Sequence, residues 1–302
     1  MESITPEATI AVPKVNWLAS DGKTLWVFTG AGEVARLDPA TNSIGALTTI
    51  DATHRDGGFA VNLRGLWLND FDANLVYRID PASLKVVAKI AVGPSPEGLA
   101  VDPKDGAIWV ANHRGGTVDR IDPATNKVVA KIAVGNAGSS GPHQVGLGLG
   151  SVWVGVPNTS SVYRIDPLTN KVEATIEIPA GASPCSGFAF SEQAVWTPSC
   201  FDTTTLVRID PLTNKVVATV DLRGYGGDPI LVDGFPWLAV ASTSGGPARL
   251  VRIDPATNTI DRVVSLGDAF MGENLVVAAG SVWVTDLPNN QVTRLPLAAF
   301  NP

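Results

Sequence analysis

The chain consists of short runs in which apolar and polar residues alternate, each ended by Gly, Pro, Asp or Asn. Between Gly98 and Gly135 there are four such runs, over residues 99–101, 107–111, 117–121 and 128–134. The turn sequences DPKDG, NHRGG and DPATN separate them. Alternation of period two between closely spaced turns is typical of antiparallel strands. No long helical period occurs, so the pattern predicts an all-β protein.

This four-strand unit recurs along the whole chain. Asp-Pro pairs follow its third run at steps of 42 or 44 residues, and a tryptophan marks its second run. A period of about 43 residues fits roughly seven times into the chain. The Asp-Pro pairs begin at Asp38, Asp80, Asp122, Asp166, Asp210 and Asp254, and the tryptophans are Trp26, Trp67, Trp109, Trp153, Trp196, Trp237 and Trp283.

There is one tryptophan more than there are Asp-Pro turns, which bears on how the chain ends. The last unit finishes as VTRLPLAAFNP and lacks a fourth strand, whereas the N-terminal ITPEATIAVP aligns with a fourth strand. We therefore expect residues 7–12 to complete the blade that begins near Asn274. Such closure removes exposed sheet edges. The prediction is a seven-bladed β-propeller of four-stranded antiparallel blades, with residues 1–302 as a single domain.

The repeated Asp-Pro-x-Thr-Asn has a structural explanation. Asp accepts hydrogen bonds from the backbone two residues on, Pro presets φ, and Asn tolerates the left-handed conformation. We interpret the six Asp residues as parts of hairpin turns between third and fourth strands and not as ligands. The tryptophans recur identically in every unit, which predicts packing between blades.

Two stretches of the repeat resemble known propeller families. VYRIDPASLKVVAKIAVGPSPEGLAVDPKDGAIWVAN resembles the repeats of YVTN-type bacterial propellers, and PEGLAVDPKDGAIWV resembles those of virginiamycin B lyase-like propellers. The resemblance spans nearly the whole chain but lies in the blade framework. It therefore implies the fold more strongly than an activity.

The lyase resemblance carries expectations about chemistry. In that family a metal ion assists the elimination that opens a cyclic depsipeptide ester, an essential His enters from a crossover loop, and a Glu follows the Trp of the same blade by three positions. Here His143 stands in the matching loop, ten residues before Trp153, but Val156 occupies the position of the Glu. Acidic residues stand three after a Trp only as Asp70 and Asp286, in other blades.

Composition excludes some partners. The net charge of −7 and pI near 5.0 disfavour nucleic acid and anionic membranes. No apolar run is long enough to cross a membrane. The start of the chain, MESITPEATIAV, shows no signal peptide pattern. We expect a monomer whose partner is a small molecule.

The two faces of the disc differ in sequence, and this locates the candidate site. The Asp-Pro turns lie on one face, whereas the second-to-third loops and the crossovers on the other face vary and hold all three histidines. We expect Glu97, His143 and Glu273 to be catalytic at the rim of the central channel. The expected substrate-binding residues are His54, Asp56, Asp70, Phe71, His113, Arg114, Phe201, Tyr225 and Asp228.

Three interpretations of this rim stay open. Its acids and imidazole fit a divalent cation, a general acid–base pair, or a solvated channel mouth with no chemistry. The function expected from it is a lyase or hydrolase, metal-assisted or not, for an ester, lactone or peptide-like ligand. The alternative is a non-catalytic propeller that binds a ligand or a protein.

The two cysteines, Cys185 and Cys200, both fall in loops of the variable face. A disulfide between them and a pair of free thiols are both compatible with the sequence. A disulfide would indicate an oxidising compartment, the periplasm or the exterior of the cell.

Overall fold

The computed structural model describes residues 2–50, 58–199, 203–244, 246–266 and 274–301. Within these ranges the strands form seven antiparallel sheets arranged as the blades of a propeller, as predicted. We number the blades 1 to 7 along the chain. No helix of the described ranges is long and apolar enough to span a membrane.

The blades are built from consecutive strands, innermost first. Blade 1 comprises Val15–Ser20, Leu25–Thr29 and Glu33–Asp38, with Ser43–Ile44 and Thr48–Thr49 both paired to the third strand. Blade 2 comprises Phe59–Asn62, Gly65–Asp70, Leu75–Ile79 and Val86–Ala91. Blade 3 comprises Pro96–Val101, Ile108–Asn112, Thr117–Asp122 and Lys127–Ala133. Blade 4 comprises Val145–Gly148, Ser151–Val156, Ser161–Asp166 and Lys171–Glu177. Blade 5 comprises Ala189–Ser191, Ala194–Pro198, Thr205–Asp210 and Lys215–Asp221.

Blades 6 and 7 depart from this plan at their edges. Blade 6 comprises Tyr225–Gly226 and Ile230–Val232, which both pair with Phe235–Ala241, followed by Arg249–Asp254 and Thr259–Ser265. Blade 7 comprises Leu275–Ala278, Ser281–Asp286, Gln291–Pro296 and the N-terminal strand Ala8–Ala11. Short 3₁₀ turns occur at His113–Gly115, Pro157–Thr159 and Leu297–Phe300.

The N-terminal segment closes the ring, which confirms the prediction for residues 7–12. Ala8 lies opposite Arg294 and Ala11 opposite Gln291, in antiparallel register. The sequence pattern did not indicate a further contact: Glu2–Ser3 runs parallel to Val264 and Ser265 on the outer edge of blade 6. The start of the chain therefore fastens blade 7 and covers the edge of blade 6.

The tryptophans of the second strands fill the space between blades. Six of the seven are completely buried, and Trp26 is 5% exposed. In each blade the tryptophan pairs across the ladder with the arginine of the third strand, as Trp153 does with Arg164. The Arg164 guanidinium lies over the Trp153 ring at 5.1 Å, a cation–π contact.

The Asp-Pro turns have the predicted hydrogen bonds. In blade 3 the Asp122 carboxylate accepts from the backbone N–H of Ala124 at 2.8 Å and from the Thr125 hydroxyl at 2.8 Å. These bonds lower the pKa of Asp122. Asn126 ends the turn in the left-handed conformation, with φ of 55°. The repeated Asp is thus a turn residue.

The repeated arginine joins neighbouring blades. Its Nη1 donates both to the proline carbonyl and to the asparagine Oδ1 of the Asp-Pro turn in the next blade; for Arg208 the two distances are 2.6 and 2.7 Å. We call this contact the inter-blade clasp. Within the described ranges it joins Arg78 to Pro123 and Asn126, Arg120 to Pro167 and Asn170, Arg164 to Pro211 and Asn214, Arg208 to Pro255 and Asn258, and Arg294 to Pro39 and Asn42.

Where the repeat breaks, other contacts replace the clasp. The turn of blade 2 has Leu84 where the others have Asn, and the Trp26 indole donates to the Pro81 carbonyl at 3.2 Å instead. Blade 7 has no Asp-Pro turn, and at the junction between blades 6 and 7 the Trp237 indole of blade 6 donates to the Phe300 carbonyl at 3.2 Å.

The clasp makes a stability prediction. Replacing Arg164 with Lys keeps the charge but removes the planar fork that reaches two acceptors, so the free energy of unfolding should fall by about 1–2 kcal/mol. Arg36 is the matched control because it is the equivalent arginine of blade 1, is exposed, and has no clasp within the described ranges. Arg36→Lys should change stability by less than about 0.5 kcal/mol. Urea unfolding of both variants measures the difference, and equal losses would contradict the role of the clasp.

Candidate functional site

A β-bulge directs Glu97 toward the rim of the channel. On the innermost strand of blade 3, Pro96 pairs with Asn112 and Leu99 with Val110, so Glu97 and Gly98 lie opposite a single residue. Bulges of this kind redirect side chains. Gly98 must lack a side chain, because a Cβ there would meet the carbonyl oxygen of His143.

The backbone holds His143 between two blades. Its N–H donates to the Gly155 carbonyl of blade 4 at 3.0 Å, and its carbonyl accepts from the N–H of Gly98 in blade 3 at 2.8 Å. The backbone of His143 therefore links blades 3 and 4. Its imidazole is 9% exposed.

His113 begins the 3₁₀ turn His113–Gly115, which follows the second strand of blade 3. Its N–H donates to the Ser95 carbonyl at 2.8 Å, just before the innermost strand of the same blade. The left-handed Gly116 ends the turn, with φ of 61°. A short loop thus places this imidazole beside Glu97.

The two imidazoles share the carboxylate of Glu97. Nδ1 of His143 lies 2.8 Å from Oε1, and Nδ1 of His113 lies 2.9 Å from Oε2. The two rings meet edge to face, with their centroids 4.5 Å apart. We call these three residues the Glu97 cluster. Their ligand atoms all lie within 4.8 Å of one another.

The cluster keeps Glu97 ionised. Burial by itself would raise the pKa of this carboxyl, which is only 17% exposed. The hydrogen bonds and the positive charges that His113 and His143 supply outweigh burial and lower the pKa to about 2. Glu97 is therefore an anion at neutral pH, fixed on both oxygens.

The contacts assign the same tautomer to the two neutral histidines. Nε2 of His113 accepts a hydrogen bond from the backbone N–H of Ser140 at 3.2 Å, so in the neutral ring the proton is on Nδ1, which faces Glu97. His143 also turns Nδ1 toward Glu97, which makes Nε2 its basic nitrogen in the neutral ring. The basic nitrogen of His113 is thus an acceptor that the Ser140 N–H already uses.

Phe71 lies beside His113, and Arg114 lies beside Phe71. The Phe71 ring centroid is 6.1 Å from that of His113, and the Arg114 guanidinium lies 5.6 Å from the Phe71 centroid. An aromatic ring and a cation thus flank the outer side of His113.

Asp228 lines the central channel, in a cavity of about 380 Å³ that Gln144 and Asn274 also line. Its Oδ1 accepts from the N–H of Gly187 at 2.6 Å, which links blades 5 and 6.

The remaining predicted residues divide into three groups. Asp70 is buried and accepts from the Ala73 N–H and the Tyr77 hydroxyl of its own blade, at 3.0 and 3.3 Å. Tyr225 is 38% exposed and pairs with Ala241 at the start of blade 6. Outside the described residues lie the predicted catalytic Glu273 and the predicted substrate-binding His54, Asp56 and Phe201.

Val156 occupies the position where the resemblance expects a glutamate. Its side chain is completely buried in an apolar cluster with Trp109, Val134 and Val154. It faces the core between blades and not the Glu97 cluster. The carboxylate of this site comes instead from the innermost strand of blade 3.

Cys185 is part of a disulfide. Its neighbour Pro184 forms an isolated β-bridge with Ser199, and the Ser199 hydroxyl accepts from the Ser183 N–H at 3.0 Å. The chain's other cysteine, Cys200, lies outside the described residues. The compartment remains an expectation.

The sequence indicated neither the contribution of Ser140 nor the position of His113 within the cluster. Ser140 acts through its backbone N–H, which any residue except proline could supply, so no side-chain signal marks it. His113 could have been paired with Glu97 from one observation: both belong to blade 3 and to the same face.

Comparison with known proteins shows the fold. No protein-family model matches the chain, and no curated protein matches its sequence. Among solved structures, a streptogramin B lyase is 18% identical over 94% of each chain, with a TM-score of 0.78. A virginiamycin B lyase from Staphylococcus aureus is 15% identical over 96% of this chain and 98% of that one, with a TM-score of 0.80.

BamB from Moraxella catarrhalis is also similar, at 14% identity over 93% of this chain and 84% of that one, with a TM-score of 0.69. The chain is therefore a virginiamycin B lyase-like seven-bladed propeller in its fold. At these identities the similarity extends no further than the fold.

The cluster predicts a specific pattern of acid unfolding. Because the folded-state pKa of Glu97 is lowered from 4.5 to about 2, its contribution is present above pH 4.5 and is lost as the pH falls toward 2. The loss should be on the order of 3 kcal/mol. In Glu97→Gln this part of the pH dependence should disappear. Denaturant unfolding at several pH values, with EDTA present, measures it.

The control variant is Glu177→Gln, which changes an exposed carboxylate at the end of a blade 4 strand. It should unfold with the pH dependence of the parent protein. If Glu97→Gln also retained that dependence, the carboxylate would not be held as an ion by the two histidines.

Proposed function

We propose that the protein is a lyase or hydrolase that opens an ester or lactone bond of a small, peptide-like molecule at the Glu97 cluster. The observation that carries this proposal is the sharing of one buried carboxylate by two imidazoles, at 2.8 and 2.9 Å. A turn does not require this arrangement. The aspartates of the Asp-Pro turns accept from backbone N–H and hydroxyl groups, as Asp122 does, and not from two imidazoles.

In this proposal the three residues have distinct roles. His143 is the general base, acting through Nε2, and Glu97 holds the ring in the Nδ1–H tautomer and stabilises the imidazolium that forms. His113 is a positioning residue, because it fixes the second oxygen of Glu97 while Ser140 fixes His113. Phe71 and Arg114 contribute an apolar surface and a cation that could orient a polar ligand.

Two reactions fit such a base. In an elimination, Nε2 takes a proton from the carbon next to the one that carries the ester oxygen. A double bond forms between these two carbons, the bond from carbon to the ester oxygen breaks, and the acyl part leaves as a carboxylate. In a hydrolysis, Nε2 takes the proton of a water that attacks the carbonyl, and the alcohol leaves with one proton. Elimination keeps the mass of a cyclic substrate and hydrolysis adds one water, so the products distinguish them.

The structural neighbours support a cyclic ester as the first probe. Two of them are named for streptogramin B or virginiamycin B, and a third is a catalytically inactive histidine-to-alanine variant with quinupristin. Val156 indicates a substrate different from those of the neighbouring lyases, because this chain has a buried apolar side chain where the resemblance expects an acid. The probes should therefore extend to simple lactones and p-nitrophenyl esters.

Turnover of these probes by the parent protein and by His143→Ala tests the proposal. Losing the base should lower kcat by at least about 10²-fold, with the thermal unfolding temperature nearly unchanged because the backbone of residue 143 provides its contacts to both neighbouring blades. Glu177→Gln is the control and should retain full turnover. Mass spectrometry of the products identifies the reaction.

Each other result contradicts a defined part of the proposal. Full turnover by His143→Ala would exclude His143 as the base. Failure of the parent protein to convert any probe would favour a non-catalytic propeller that binds its ligand without changing it.

A metal centre is a second candidate for the same cluster, and the convergence of three ligating side chains within 4.8 Å favours it. Two imidazoles and one carboxylate fit a divalent transition metal such as Zn²⁺ and are a poor set for Mg²⁺, which prefers oxygen ligands. Glu97, His113 and His143 would hold the ion, which would polarise a carbonyl oxygen when bound. Because Nδ1 of both histidines faces Glu97, binding would have to displace their protons.

Calorimetric titration of the metal-free protein with Zn²⁺ tests this candidate. A genuine site should bind one ion per chain, release protons, and weaken at least about tenfold in His113→Gln, since one ligand is lost. Equal binding by the parent protein and the variant would exclude the cluster as a metal site.

A further inference from the structure

The junction between blades 5 and 6 departs from the repeat at two positions at once. Arg223 follows the outer strand of blade 5, where blade 3 has Gly135, and Arg249 begins the third strand of blade 6. The residues that begin the third strand in blades 2 to 5 are Leu75, Thr117, Ser161 and Thr205. In this comparison, arginine stands at these positions only where blades 5 and 6 meet.

Both arginines line one groove of about 610 Å³ between the outer parts of the two blades. Nη2 of Arg249 donates to the carbonyl oxygens of Leu222 and Arg223, at 2.7 and 3.2 Å, which fixes the guanidinium against the groove wall. Arg223 is exposed. Within the described ranges, no salt bridge to either arginine is recorded.

The backbone at Arg223 is strained for a residue with a side chain. Its φ is 52°, in the left-handed region, and the equivalent Gly135 has a φ of 70°. Glycine adopts this conformation at little cost, whereas other residues do so at a penalty. Because blade 3 has glycine at this position, Arg223 adds a positive charge that the blade framework does not require.

Asp221 limits what the groove can bind. Its carboxylate lies in the same groove and accepts from the Thr204 hydroxyl at 2.7 Å and from the Arg223 N–H at 2.9 Å. These bonds lower the pKa of Asp221, so its carboxylate stays ionised. With two arginines and one aspartate, the groove carries a net positive charge of about one. Together with the chain's net charge of −7, this disfavours polyanions and leaves small oxyanions.

We propose that the groove between blades 5 and 6 binds a small oxyanion, a carboxylate or phosphate group, through Arg223 and Arg249. Planar guanidinium groups match the two oxygens of such a group. Thr219, Asn258 and Thr259 line the same groove and offer further polar atoms. The site is independent of the Glu97 cluster and of the function proposed for it.

The repeat itself supplies variants that the fold tolerates. Arg223→Gly restores the residue of blade 3, and Arg249→Thr restores the residue of blades 3 and 5. The double variant removes two positive charges from the groove. Its control is Lys171→Thr with Lys215→Thr, which removes two charges outside the groove and introduces the residue that blade 6 has at that position, Thr259.

Calorimetric titrations at low ionic strength with inorganic phosphate and with succinate test the site. The parent protein and the lysine control should bind at least one of the two with the same affinity. Arg223→Gly/Arg249→Thr should bind it about tenfold more weakly or not at all, because charge-assisted hydrogen bonds are lost. Preference for one probe tells whether the natural group is a phosphate or a carboxylate.

Two results would overturn the proposal. One is the absence of binding of either probe to the parent protein. The other is an equal loss of affinity in the lysine control, which would show that the general charge of the surface attracts the anion. Thermal unfolding of the double variant shows that the blades stay intact, so that lost binding reports on the groove.

Discussion

The inter-blade clasp is the contact on which the rest of the molecule depends. One arginine lies over the tryptophan of its own blade and donates to the turn of the next, so a single side chain connects the core of one repeat to the surface of another. This is why Arg, Asp-Pro and Asn are repeated together: the turn must present a carbonyl and an amide oxygen where the preceding arginine arrives. Within the described ranges such clasps occur at five junctions between blades, and the indoles of Trp26 and Trp237 make the contact at the other two. Each repeat is therefore stabilised by its neighbours.

The uniformity of one face permits variation on the other. Because the clasps and the tryptophans define the positions of the blades, the opposite loops can change without loss of the fold. Blade 3 uses this freedom to place a bulge at Glu97 and a 3₁₀ turn at His113, and the crossover into blade 4 adds His143. Two imidazoles from different loops thus meet on one carboxylate. Two imidazoles compensate the cost of burying that carboxylate.

The sequence predicted the fold well because hydrophobic alternation and turn residues are local signals repeated seven times. It predicted the closure by Ala8–Ala11 from a missing strand at one end and an extra one at the other. The site was harder to predict, because the bulge at Glu97 and Gly98 depends on the neighbouring blade and leaves no periodic trace. The tautomer of His113 depends on a backbone N–H, which has no sequence signature.

The central claim is that an ionised Glu97 holds both histidines by Nδ1 and leaves their Nε2 atoms as acceptors. Nitrogen NMR of the imidazoles, in metal-free protein labelled with ¹⁵N-histidine, observes this directly, with His113→Gln and His143→Ala used for assignment. The account predicts that His113 and His143, when neutral, carry their proton on Nδ1. A proton on Nε2 of either ring in its neutral form would contradict it.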